Sequence, residues 1–196
     1  MIRLLATIAA AVTLVATSAS AFDPAHLKRL KDTNECVGCD LRGAYLQRAN
    51  LNSANLTDAD LTGANLKGAD LSKAILSKAI LRGADLGYAI LRGAKLTDAI
   101  LIKAYLRGAK LTDANLTDVN LTYAELSGAN LTDANLTYAN LTYAELSGTN
   151  LTYAELRGAK LSVANLKGAK LDYAIMNGAI LCNTTMPDGS ALYSGC

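Results

Sequence analysis

Leucine recurs at every fifth position from Leu41 to Leu181, so that 29 consecutive centres carry 28 Leu and one Met, Met176. Two residues before each centre sits a small residue. Of the 28 such positions from Ala44 to Ala179, 26 are Ala, with Val119 and Thr149 as exceptions. The unit is A-x-L-x-x, as in Ala54-Asn55-Leu56-Thr57-Asp58. A period of five matches neither the roughly 3.6 of a helix nor the alternation of a strand, and either element would smear the Leu around its surface. A coil solves the problem. Each five-residue segment becomes one side of a prism, with the Leu inward, the small residue at the corner and the other three positions facing water.

This pattern resembles the pentapeptide repeat family, whose units read A-(D/N)-L-x-x, and the resemblance spans residues 40–185. It implies an all-β fold: a right-handed quadrilateral β-helix, four units to a coil. The chain supports a 20-residue step on its own. Leu121 to Asn130 reads LTYAELSGAN and Leu141 to Asn150 reads LTYAELSGTN, while Gly108, Gly128, Gly148 and Gly168 recur at the same interval. Twenty-nine units then make about seven coils, a rod roughly 35 Å long at about 4.8 Å per coil. Burial of one Leu is worth roughly 1.5–3 kcal/mol. Leu ladders thus form a core in a chain with no Trp and one Phe.

Both ends carry different chemistry. Arg3, the apolar stretch Leu4 to Val15 and the small residues Ala19-Ser20-Ala21 read as an export leader over 1–21, too short to span a membrane. The expected organisation is a signal peptide 1–21, a helical cap 22–39, the solenoid 40–185 and a C-terminal cap 186–196. Asp23-Pro24 reads as a helix start, and Phe22 and Leu27 have hydrophobic-staple spacing. A short helix over 24–31 should therefore cover the first coil, with His26 on its solvent side. At the other end Met186 keeps the register and Pro187-Asp188-Gly189 breaks it. Ala191, Leu192 and Tyr193 are then expected to fold over the last coil.

Four cysteines allow three pairings. Cys36 and Cys39 precede the implied rod and Cys182 and Cys196 follow it, beyond disulfide reach of one another. Cys36–Cys39 and Cys182–Cys196 remain as intrachain bonds, and a four-cysteine zinc site is excluded. Redox chemistry at the Cys36-x-x-Cys39 pair and free thiols are the competing readings.

Charge and chemistry narrow the function. Lys+Arg 19 against Asp+Glu 17 gives a net charge of +2, too balanced for a nucleic-acid binder. Family members that mimic B-DNA and bind gyrase are acidic with Phe at many centres, and this chain departs on both counts. With one His and carboxylates on outward positions, no catalytic residue, cofactor or metal site is assigned and an enzyme is not expected. The alternative function is a ligand-binding surface: weak Ca²⁺ at stacked Asp98/Asp118 and Asp113/Asp133, or ice at Thr112, Thr132 and Thr152. The recurring Asn-Leu-Thr triplet reads as a by-product of composition.

Two features exceed a bland surface. Ile replaces the polar residue before the centre at Ile75, Ile80, Ile90 and Ile100. Tyr stands two residues after the centre at Tyr123, Tyr138, Tyr143, Tyr153 and Tyr173. They read either as cross-coil packing, worth roughly 0.2–1 kcal/mol per pair, or as a partner surface. The chain is thus expected to be an exported, non-enzymatic structural or interaction scaffold. It resembles helix-capped members of the family from photosynthetic bacteria, which implies periplasm or thylakoid lumen. A protein partner fits this expectation. Nucleic acid and, after leader removal, membrane do not, and the oligomeric state is left open.

Overall fold

A computed structural model describes residues 22–196, and the expected leader lies outside the described residues. Parallel bridges pair each residue before a centre with the one 20 positions later, from Glu35 with Asn55 to Asn165 with Thr185. Four five-residue units therefore make one coil, and every column of side chains has a 20-residue step.

The backbone accounting explains why the unit is five residues long. Around Leu116, the Ala114 amide donates to the Leu111 carbonyl at 3.1 Å, closing a turn. The Asn115 amide donates to Ala94 in the preceding coil at 2.9 Å, and those of Leu116 and Asp118 donate to Asn135 and Thr137 in the next, at 2.7 and 3.0 Å. The fifth amide, that of Thr117, points at no carbonyl. It is taken by the Asn115 side-chain oxygen at 3.1 Å. Buried amides need partners, so the Asn or Asp before the centre completes the set, as Asx turns do.

The turn requires a left-handed residue. The second residue after each centre has φ between 54° and 71° along the ladder, which favours Gly, Asn and Asp. The centres from Leu41 to Leu166 and the small residues beside them, Ala49 apart, are buried as one continuous core. Thr149 fits a small site because its Oγ1 donates to the Leu126 carbonyl at 3.0 Å.

The ladder begins five residues before the expected boundary at 40. Cys36 takes a Leu position and Cys39 an Ala position, both buried, and their disulfide staples the first turn. Helix α1 runs Pro24–Thr33, two residues past expectation, with the Asp23 carboxylate accepting from the Ala25 amide at 2.8 Å and Asn34 as a left-handed C-cap. Leu30 is buried against the core. His26 is not simply solvent-facing: it is half-buried, and its Nδ1 accepts the Asp40 amide at 3.0 Å. The Asp23 amide meets the Asp40 carbonyl at 3.1 Å. The helix thus supplies the bonds that a preceding coil would have made.

The C-terminal end differs from expectation. Strand β1, Leu181–Thr185, pairs antiparallel with β2, Ala191–Ser194. Ala191, Leu192 and Tyr193 add one antiparallel strand to the outer edge of a single side of the last coil, Leu181–Thr185, and stay exposed; they cover that side only. Pairing backbone groups along β1 keeps them at the rim. The Cys182–Cys196 disulfide ties the tail to β1.

Candidate interaction surface

The outward positions are of three kinds. The residue before each centre is half-buried for most of the ladder, and the one two after it is the most exposed. Between them stands a residue that is Thr at ten places from Thr57 to Thr152, and half of these hydroxyls are engaged. Thr57, Thr117, Thr122, Thr132 and Thr152 each donate Oγ1 to the Asn two residues earlier, at 2.6 to 2.8 Å. The Asn-Leu-Thr triplet is therefore a hydrogen-bonded turn unit rather than a by-product of composition. Asx-turn chemistry in the sequence was the signal that could have revealed it. In the row Thr112, Thr132 and Thr152, the same bonds engage the hydroxyls of Thr132 and Thr152 and not that of Thr112.

Carboxylates follow the same rule. Asp70 accepts from the Ser72 hydroxyl at 2.6 Å and amide at 2.9 Å, and these bonds hold its carboxyl below the usual Asp range. Arg42 does so for Asp40, the side-chain bond outweighing the opposing desolvation. For Glu145 desolvation is the largest influence and raises the pKa, yet bonds from Ser147 and Asn165 together leave it lowered. Each of these groups braces its own turn or its neighbour. Among the described residues no three His, Cys, Asp or Glu side chains gather into a metal group. Asp113 faces Arg92 at 3.7 Å.

The Ile residues are divided among three columns. Ile80 and Ile100 are bridged to each other. Ile75 stands between Asn55 and Lys95, and Ile90 between Asp70 and Lys110. All four are half-buried. The ladder does not bring them into one patch.

The Tyr residues show more order. Tyr123 and Tyr143 stack with ring centroids 4.6 Å apart and planes within 3°, and Tyr153 and Tyr173 stack at 4.9 Å and 8°. Such pairs are worth about 0.5–1.5 kcal/mol each. The two stacks occupy columns ten residues apart, half a coil, so they face opposite sides of the ladder. Tyr138 has its own column and lies over Gly158, where an added Cβ would come within 2.6 Å of its ring. Tyr88 lies over Gly108 in the same way, at 2.7 Å. Tyr88 was missed among the sequence candidates, although its spacing to Gly108 was visible. Beside it, an open groove lined by Lys67, Asp85, Tyr105 and Arg107 crosses a stretch where Gly63, Gly83 and Gly87 leave the backbone bare.

Such a ladder of five-residue turns is the hallmark of a pentapeptide repeat protein. The Pentapeptide repeats family pattern matches eight times, over stretches lying between residues 39 and 186. The chain belongs to this family, whose members fold as right-handed quadrilateral β-helices. Among solved structures it is similar to HetL, a pentapeptide repeat protein involved in heterocyst differentiation regulation from Nostoc sp. strain PCC 7120. The identity is 33%, covering 81% of this chain and 87% of that one, with a TM-score of 0.39. It is also similar to Rfr23 from Cyanothece 51142, at 27% identity over 79% and 92% of the two chains and a TM-score of 0.40. A pentapeptide repeat protein from the Arabidopsis thaliana thylakoid lumen matches at 24% identity over 66% and 69%, with a TM-score of 0.21. No curated protein matches the chain.

Proposed function

We propose that this protein is an exported, non-enzymatic scaffold that displays tyrosine stacks to a protein partner in the periplasm or thylakoid lumen. In this reading the ladder is a right-handed quadrilateral β-helix of about seven coils, closed at its start by α1. The observation that carries the proposal is the state of the outward side chains. Many Asn, Asp and Thr groups are spent on their own turns, whereas Tyr123 with Tyr143 and Tyr153 with Tyr173 remain exposed and aligned within each pair. Aromatic side chains held in place bury large areas at low entropic cost, as interface anchors do. Tyr138 adds a third contact strip. Ile80 and Ile100, half-buried and bridged, brace the ladder, while Ile75 and Ile90 have only polar or charged column neighbours.

The test is affinity capture from the organism's own periplasmic or lumenal extract, using oxidised protein and the Tyr143→Asp/Tyr153→Gly double variant. Both substitutions borrow residues found elsewhere at this repeat position. A partner retained by the parent and lost by the folded double variant supports the reading. Identical capture by both proteins refutes it. Titration with Ca²⁺ and an ice-recrystallisation assay address the ligand-binding alternative directly.

A further inference from the structure

The opening amides of the ladder are met by side chains instead of a preceding coil. Along the ladder the amide of the residue before a centre donates to a carbonyl 21 residues earlier, as Asp60 does to Cys39 at 2.8 Å and Asn65 to Ala44 at 2.9 Å. Glu35 and Asp40 have no coil behind them. The Glu35 amide donates to the Thr33 hydroxyl at 3.1 Å, and the Asp40 amide to His26 Nδ1 at 3.0 Å. Both acceptors belong to α1, and one of the two can take up a proton.

An imidazole nitrogen accepts an amide proton only while it is itself unprotonated, and in the charged ring both nitrogens are donors. His26 is therefore neutral in this arrangement, with its own proton on Nε2. Its surroundings set what a second proton does. Asp23 Oδ2 lies 3.7 Å from Nδ1, while Asp23 Oδ1 accepts from the Ala25 amide at 2.8 Å. From the coil side, the Asp40 carboxylate is gripped by Arg42 at 2.6 and 2.8 Å, and Arg42 also lies 3.8 Å from Asp60. The Arg42 bond holds the Asp40 carboxyl below the usual Asp range, so Asp40 stays ionised while the ring titrates. Within α1, Arg29 follows one turn later and the first turn carries no acidic residue. A positive charge in the first turn also opposes the helix dipole. A proton on Nδ1 thus removes the acceptor of the Asp40 amide and leaves the ring one near anionic partner, Asp23.

We propose that His26 is a pH-sensitive latch on the N-terminal cap. Neutral, it holds the first turn of α1 to the first side of the ladder through the Asp40 amide. Protonated at Nδ1, it lets that amide go and turns to the Asp23 carboxylate. The Asp23 amide, which donates to the Asp40 carbonyl at 3.1 Å, is then left without its companion bond. The far end of α1 is held independently, by buried Leu30 and by the Asn34 carbonyl, which accepts the Asn55 amide at 2.8 Å. The device therefore loosens one turn of the cap and not the whole helix.

His is the side chain that changes charge between about pH 8 and pH 5. His26 is the single His of the chain, so its ring signals are read without overlap. The experiment is amide exchange by NMR across that range, with intrinsic rates divided out, on the oxidised full-length gene product, leader included so that host processing is retained. Protection of the Asp40 amide should fall roughly tenfold toward acid pH, following the titration of the His26 ring, while the Asp60 and Asn34 amides keep theirs. His26→Asn offers an acceptor oxygen near the place of Nδ1 and takes up no proton, so it should show no such fall. Any amine left on Phe22 by leader removal is common to both proteins and drops out of the comparison. Equal protection of Asp40 across the range overturns the proposal. So does an equal fall in His26→Asn, and so does a loss at Asn34 matching that at Asp40, which would mean that α1 melts as a whole. Should His26→Asn not fold, agreement or disagreement between the parent's ring titration and its Asp40 exchange decides alone.

Discussion

At the residue scale, the five places of the unit do separate jobs. The centre and the small residue build the core, the residue before the centre caps an amide, and the second residue after it adopts a left-handed backbone. Val163 fits that last job poorly. Its φ is 59° and its side chain is 40% exposed, and a β-branched residue is strained there. Val163→Asn should therefore stabilise the protein by about 1 kcal/mol, read as a higher urea midpoint at unchanged slope. Asp70 offers a pH test. Its folded-state carboxyl is depressed by the Ser72 bonds, so its contribution is present above the unfolded pKa and is lost as pH falls through the lower, folded value. Below about pH 4 the parent should lose stability faster than Asp70→Asn, which keeps an acceptor but has no proton to take up. Equal acid sensitivity of the two proteins would count against that bond.

At the element scale, columns 20 residues apart decide what a surface side chain may be. Tyr88 and Tyr138 lean over the same position of the next coil, where Gly108 and Gly158 leave room, whereas Tyr123 and Tyr153 meet flat rings there, those of Tyr143 and Tyr173. Gly158→Ala must both strain a left-handed turn and displace the Tyr138 ring, whereas Gly128→Ala meets nothing within 4 Å. Gly158→Ala should be the more destabilising of the two. Combining it with Tyr138→Ala should recover part of the loss, a non-additivity measurable in a double-mutant cycle. The α1 cap shows the same logic at the rim, where His26 takes the place of a carbonyl that no earlier coil provides.

At the scale of the whole molecule, stability is a sum of coil-on-coil contacts, so position along the rod matters. Leu111 is fully buried with coils on both sides, and Leu111→Ala should cost roughly 2–5 kcal/mol. Leu181 is only partly buried, and the same change there should cost clearly less. Equal losses in denaturant midpoint would contradict a stacked ladder closed at one end and open at the other.

Much of this was legible in the residues themselves. A period of five with Leu and Ala two places apart admits few solutions, and the repeated LTYAELSG blocks at 20-residue separation announced the coil length. Asp23-Pro24 marked the helix start because capping is local chemistry. The cysteines could be sorted by end because the rod keeps distant residues apart. The destination of each polar side chain needed the folded backbone. Asn reads as a surface residue until the fifth amide of the unit is found without a carbonyl, and His26 reads as solvent-facing until the first coil is seen to lack a predecessor. The scatter of the Ile residues over three columns, and of the Tyr stacks over two opposite sides, follows from a five-residue step taken four times around. Sequence order determined the unit and its count. Tertiary structure decided which groups each outward residue meets, because the hydrogen bonds between coils join residues 19 or 21 apart and leave one amide of each unit to a side chain.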